Sequence, residues 1–280
     1  MDIVDCVKNG LICASTSYSD DVLAAYVSAR DNASSSVSKW VFDLLLENAN
    51  IAKKNKRPLC DDTGIPHLLF EIGENAELPR NLFEDARKGV ELGLKQLPAR
   101  PMAVKGDSIQ RIEQSQGLYE QAEDLKPAPY IVQNTPGDKI KITILMLGGG
   151  PEIRSKTYRI FHQRNHNIIS NKIIEWLSKE LPLLGCTPAI PAIGIGRTHF
   201  EATTSMIKAM AYGNLNKQSP MENYITKSLN DLSIGPLGLK KDDTVLGTFI
   251  DVAPQRASGV RIVSVRPCCC VEPRRYQVII

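Results

Sequence analysis

The sequence predicts an α/β or α+β protein in which an N-terminal helical layer packs on a mixed-sheet domain. Apolar residues recur at helical spacing through the N-terminal part, and short apolar runs bounded by glycine and proline alternate with helical stretches after it. No internal repeat is present. With 280 residues and 42% hydrophobic content, the chain has apolar material for one large core or two medium ones. The expected organisation is one domain over residues 1–280, with a helical part to about residue 55 and an α/β part from about 56 to 280.

In order along the chain, residues 21–52 carry Val22, Leu23, Tyr26, Val27, Val41, Leu44 and Leu45 at helical spacing and divide into two helices at the polar stretch 31–36. Residues 67–73 are short and apolar enough for a strand, residues 82–97 return to helical spacing, and residues 98–106 read as connection. In 139–147, Ile140, Ile142, Ile144 and Met146 alternate with Lys141, Thr143 and Leu145, a strand pattern broken by Gly148-Gly149-Gly150. A helix over 172–184 stops at Gly185, which can take the left-handed conformation. Residues 190–195, 244–252 and 259–265 read as strands and 200–212 as a helix, while 106–125 is polar enough for a surface excursion.

Seven cysteines, without a signal peptide or an apolar run of membrane-spanning length, point to a reducing cytoplasmic setting where thiols stay reduced. The charge of +3 arises from 34 basic and 31 acidic residues spread along the chain, without the basic stripe that nucleic-acid binding requires. Such a balance suits a small anionic substrate.

Cysteines occur at three loop-like stations: Cys60-Asp61-Asp62-Thr63-Gly64, Gly185-Cys186-Thr187-Pro188, and Cys268-Cys269-Cys270 before Glu272-Pro273-Arg274-Arg275. Each follows Pro-Leu, Leu-Gly or Arg-Pro at an element end, where a thiolate can reach a metal. One thiolate from each station makes a three-cysteine site, and three protein ligands on a four-iron cluster leave one iron open to substrate. Gly148-Gly149-Gly150 after a strand is either a tight turn or a set of exposed N–H groups for an anion, and Arg154-Ser155-Lys156 nearby adds two cations. It lacks the spacing of a dinucleotide fingerprint.

Taken together, these stations resemble the α subunit of iron-sulfur hydro-lyases, the family of class I fumarate hydratases and L(+)-tartrate dehydratases, over about residues 20–280 and in the same order. The resemblance implies a 4Fe-4S cluster with one iron not ligated by protein, held by Cys60, Cys186 and one cysteine of the final triplet. Counting back from Arg274 gives Cys270 as the third ligand, whereas counting forward from the Val263-Ser264 strand gives Cys268. Cys268 and Cys269 otherwise read as packing residues, as do Cys6 and Cys13.

The same resemblance assigns proton transfer to Asp62, whose alternative is an Asx-turn residue, and substrate contact to Asp61, where family members often carry glutamine. Gly149, Gly150, Arg154, Lys156 and Arg274 are candidates for holding a dicarboxylate, with surface pairing to Glu272 the alternative for Arg274-Arg275. The family's histidine about twelve residues before the third cysteine has no counterpart, Gln255 or Arg256 standing nearest, and His199 is placed to cap a helix or line the site. The chain ends soon after the last station, where fused enzymes continue into a β-type domain. A β-type partner subunit is therefore expected, and the resemblance implies a dimer of αβ pairs acting on fumarate and malate or, alternatively, on L(+)-tartrate. Two readings of another class are a zinc-binding structural subunit and a nucleotide-phosphate module built on the Gly148 loop.

Overall fold

The structure, a computed structural model, describes residues 2–280. In chain order these form α1 (Ile3–Thr16), α2 (Asp20–Asn32), α3 (Ser36–Asn55), β1 (Ile65–Gly73), α4 (Leu82–Gln96), α5 (Ser108–Glu113), β2 (Ile131–Thr135), β3 (Ile140–Leu147), α6 (Gly149–Ile153), β4 (Lys156–Phe161), α7 (His166–Leu184), β5 (Ala192–Gly196), α8 (His199–Tyr212), α9 (Pro220–Asn230), β6 (Phe249–Val252), β7 (Val260–Arg266) and β8 (Arg274–Ile279). The α/β class with N-terminal helices is as the sequence predicts. Among the described residues no helix is long and apolar enough to cross a membrane.

The elements belong to two compact units interleaved along the chain. The first comprises the chain up to Ser17, Ala49–Gly148 and Arg274–Ile280, and the second Tyr18–Asn48 and Gly149–Pro273. The division does not fall near residue 55, because the N-terminal helices are shared out: α1 joins the first unit and α2 the second.

In the first unit the strand order is β2-β1-β3-β8, with β1 and β2 parallel and the other pairs antiparallel. Val7 and Leu11 of α1 and Val90 and Leu94 of α4 share a core with Leu68, Phe70, Ile142 and Ile144 from the sheet. Ile140, Ile142, Ile144 and Met146 all enter this core, as their alternation predicts. The register sets Ile65 opposite Leu147 and Arg274 opposite Met146, so the Cys60 loop and the start of β8 meet at one end of the sheet.

In the second unit the order is β4-β7-β5-β6, with β5 and β6 parallel and the other pairs antiparallel. Ile173, Leu177 and Leu181 of α7 and Ile225 and Leu229 of α9 pack with Ile193, Val263 and Val265 of the sheet. Arg266 stands opposite Ala192, so the loop before β5 and the loop after β7 emerge at the same end. These loops carry Cys186 and the cysteine triplet. Helix α8 lies directly on β5: a Cβ on Gly194 falls 2.0 Å from Ala202 O and 2.1 Å from Met206 N, so glycine is required by close backbone approach.

Several elements escape the sequence patterns. Helix α7 starts at His166 rather than 172, where the Asn165 side chain accepts from Asn167 N. Helix α9 is announced only by its capping box, Ser219 with Glu222, and by Pro220 at the first turn. Strand β6 begins at Phe249 rather than 244 because residues 244–248 make only a single bridge, Ala189 to Val245. Strand β4 buries Ile160 alone, which leaves no alternation to detect.

The Gly194 contact has a direct consequence. Gly194→Ala forces strand and helix backbones apart and is expected to lower unfolding stability by about 3 kcal/mol or more. Gly150→Ala, whose Cβ meets nothing within 4 Å, is expected to stay within about 1 kcal/mol of the wild type. Urea unfolding followed by circular dichroism distinguishes the two.

Candidate active site

In the first unit, the chain leaving α3 is fixed by Leu59 N donating to Ser15 O at 3.0 Å and then turns through Cys60. The Asp62 carboxylate accepts from Gly64 N at 3.2 Å, the Asx-turn geometry weighed from the sequence. Gly64 has φ +82°, and a Cβ there falls 2.7 Å from Arg274 Nη2 and 2.9 Å from the Leu147 carbonyl carbon. Only glycine meets both demands. Arg274 is buried and donates through Nη1 to Asp62 O at 2.7 Å and through Nε to Met146 O at 3.1 Å. It thereby ties the Cys60 loop to the end of β3.

Arg274 does not make the surface pair with Glu272 that the sequence offered as an alternative, because both side chains are buried and Glu272 is engaged by Arg266. The Cys60 thiol is half-buried and donates to Asp61 Oδ1 at 3.4 Å. Burial pushes its pKa up, the Asp62 backbone N–H opposes that rise, Asp61 adds to it, and the Arg274 charge pulls it down. Asp61 is exposed and lies 3.3 Å from Arg100 Nη1.

In the second unit, Gly185 caps α7 at φ +75°, as predicted, and Cys186 follows with an exposed side chain. Thr187 Oγ1 donates to Gly235 O at 2.6 Å, which holds the turn after Cys186. Cys270 N donates to Cys186 O at 2.8 Å, so the structure brings these two stations together.

The cysteines of the triplet differ in burial and in backbone partners, Cys268 and Cys270 being buried and Cys269 half-buried. Cys268 is fully buried at φ +52° and donates its thiol to Met210 Sδ at 3.7 Å. Burial and then Glu272 push its pKa well up, which marks a packed thiol. Cys269 is half-buried, and its carbonyl accepts from Glu272 N at 2.9 Å. Cys270 is the member of the triplet whose backbone meets Cys186, and its own carbonyl accepts from Tyr26 Oη at 2.5 Å and Tyr18 Oη at 2.9 Å.

The triplet loop is closed by a buried fork. Arg266 Nε and Nη2 donate to Glu272 Oε2 and Oε1, each at 3.0 Å, with both side chains shut off from solvent. Arg266 Nη1 also donates to Glu152 of α6. Burial opposes the arginine's charge, yet Glu272, Cys268 and Glu152 together leave its pKa above the ordinary guanidinium value. Neither Arg266 nor Glu152 stood out in the sequence, since a charged residue ending a strand reads as surface. The Tyr18 and Tyr26 contacts span 252 and 244 residues and leave no local signal.

The glycine triplet forms neither a tight turn nor a loop. β3 runs into the one-and-a-half turns of α6, with Gly149 and Gly150 exposed. Arg154 pairs with Glu180 of α7 at 3.3 Å, and Lys156 stands 5.6 Å from the Tyr158 ring centroid. His199 is exposed at the first residue of α8, where Thr198 rather than His199 is the cap. Gln255 donates to Ile195 O and Ala253 O.

Among the described residues no group of three His, Cys, Asp or Glu side chains is gathered to hold a metal ion, and no disulfide is formed. Soft donors are present in each unit: Cys60 lies in the loop that Arg274 anchors in the first, and Cys186 and Cys270 share a backbone bond in the second. Soft donors of this kind suit an iron-sulfur cluster.

Known proteins match this chain over most of its length. An L(+)-tartrate dehydratase subunit alpha of Escherichia coli (strain UTI89 / UPEC) is 24% identical over 273 residues, covering 95% of this chain and 87% of that protein. A Methanocaldococcus jannaschii protein provisionally named L(+)-tartrate dehydratase subunit alpha is 27% identical over 246 residues, covering 84% of this chain and 82% of its own. Residues 4–279 match the family described as fumarate hydratase (Fumerase), and the chain belongs to that family.

Proposed function

We propose that this hydro-lyase chain is the α subunit of a 4Fe-4S enzyme that hydrates fumarate to malate reversibly, with Cys60, Cys186 and Cys270 as the cluster's protein ligands. The observation that carries the assignment is the bond from Cys270 N to Cys186 O, which unites two stations far apart in sequence. The cluster, when bound with one iron lacking a protein ligand, supplies Lewis-acid assistance to departure of the C2 hydroxyl. A second reading, dehydration of L(+)-tartrate, is favoured by the names of the relatives.

The chain's own residues take the remaining tasks. Asp62 exchanges the C3 proton; its Oδ1 is held by Gly64 N, so the carboxylate is oriented before substrate arrives. Arg154 and Lys156, with the exposed Gly149 and Gly150, hold a substrate carboxylate. Asp61 contacts substrate with its charge offset in part by Arg100 at 3.3 Å, since a bare carboxylate repels a dicarboxylate. Arg274 contributes through the loop it anchors, its Nη1 and Nε being spent on backbone carbonyls. A β-type subunit completes the enzyme, in a dimer of αβ pairs within the reducing cytoplasm.

Cys60→Ser, Cys186→Ser and Cys270→Ser are each expected to abolish cluster assembly, whereas Cys6→Ser, Cys13→Ser and Cys268→Ser retain it, because oxygen is a poor substitute for thiolate on iron. Iron and sulfide analysis after anaerobic reconstitution decides this. Retention by Cys270→Ser would place the third ligand elsewhere. Rates of the complex with a β-type subunit on malate, fumarate and both tartrates separate the two substrate readings.

Asp62→Asn keeps the turn, since an asparagine oxygen accepts the same backbone bond. It is expected to leave the cluster spectrum intact and cut turnover by about 10²-fold. Normal turnover would confine Asp62 to a turn-forming role.

A further inference from the structure

We propose that Tyr18 and Tyr26 are positioning residues for Cys270, acting through its carbonyl to fix the direction of the ligand's side chain; this rests on Cys270 being a cluster ligand. The two phenols converge on one oxygen: Tyr26 donates to Cys270 O at 2.5 Å and Tyr18 at 2.9 Å, with ring centroids 5.2 Å apart. A carbonyl oxygen has two lone pairs, and a single donor satisfies a buried one. Here both are occupied, by side chains that lie 244 and 252 residues away in sequence.

On its other side, Cys270 donates its N–H to Cys186 O at 2.8 Å. The N–H belongs to the peptide preceding the Cα and the C=O to the peptide following it. Fixing both peptide planes fixes φ and ψ and hence the Cα–Cβ direction, which leaves the thiol only its χ1 rotation. Ligand constellations need placement to about 0.5 Å, and groups outside the coordination sphere supply it. No comparable clamp is needed for Cys268, which is held by burial against Met210.

The phenols are themselves braced. Tyr26 is 1% exposed and packs edge-on to Phe42 at 6.4 Å between centroids. Helix α2, which carries it, is pinned at its first turn: Asp21 accepts from Ser19 Oγ at 2.6 Å and from Leu215 N at 3.0 Å. The N-terminal helical segment of the second unit thus reaches the ligand loop through two hydroxyl groups.

Tyrosine-to-phenylalanine changes remove those hydroxyls and keep the rings. Tyr130→Phe serves as control, its ring packing at 5.1 Å from Phe70 in the first unit. Wild type, Tyr18→Phe, Tyr26→Phe, the double variant and the control are reconstituted anaerobically with iron and sulfide. Cluster half-life under a chelator, the EPR spectrum of the reduced cluster and the thermal midpoint of the cluster-free protein are then measured.

Tyr26→Phe is expected to shorten the half-life about 10-fold and the double variant more, with an altered EPR line shape. Cluster-free midpoints of the single variants should match that of Tyr130→Phe. The inference is overturned if the phenylalanine variants keep the wild-type half-life and line shape, or if half-lives fall only in proportion to the cluster-free midpoints. The single variants decide the matter if the double variant does not fold. A wild type that binds no iron and sulfide overturns the ligand assignment itself, a result distinct from equal retention by all five proteins.

Discussion

The buried fork between Arg266 and Glu272 is the constraint on which the cysteine geometry of the second unit depends. Its partners bracket the loop 267–271, are shut off from water and meet through two parallel bonds of 3.0 Å. Burying two charges is costly, and the cost is offset only when geometry is good and the remaining donors are used. The bidentate contact meets the first condition and the bond to Glu152 helps meet the second. Removing one partner of such a pair typically costs about 3–5 kcal/mol, because a buried charge is left behind. In the loop closed this way Cys268 packs against Met210 and the Cys270 N–H bonds to Cys186 O.

Arg274 solves a related problem in the first unit with different partners. Its charge is held by backbone carbonyls of Asp62 and Met146, and Gly64 makes room for its second terminal nitrogen. The Cys60 turn is thereby fixed to a strand end rather than left as a mobile connection. Both arginines work by spending guanidinium donors on fixed acceptors, which the rigid five-donor fork does better than a lysine ammonium. The sheet registers do the coarse placement, since each brings the relevant loop beside a strand end before any side chain acts.

How much of this was legible in the sequence follows from where its signals are local. Cys60, Cys186 and the triplet stood out because glycine and proline punctuate their neighbourhoods, and Gly185 was read correctly as a left-handed cap. The helices of residues 20–55 and strand β3 carried clear periodicities. Strands β4 and β8 did not, since one buries a single side chain and the other begins with two arginines. Which cysteine of the triplet meets Cys186 depends on a positive φ at Cys268 and on the backbone bond from Cys270 N to Cys186 O, neither of which counting residues can reveal. The pairing of Arg266 with Glu272, rather than Arg274 with Glu272, is likewise a matter of which guanidinium the fold buries beside the carboxylate. That Gly149 and Gly150 begin a short helix whose Glu152 meets Arg266 was not visible in the triplet itself, because adjacent glycines carry no helical signal.

Amide hydrogen exchange in the cluster-free chain tests the fork most directly, comparing wild type with Glu272→Gln. The account predicts that amides of residues 268–271 lose protection selectively, by about 10²-fold or more given the magnitude above, while those of β5 and the first-unit strands exchange as before. Unchanged protection of 268–271 in a folded Glu272→Gln protein would contradict it, and the loop would then owe its conformation to packing alone.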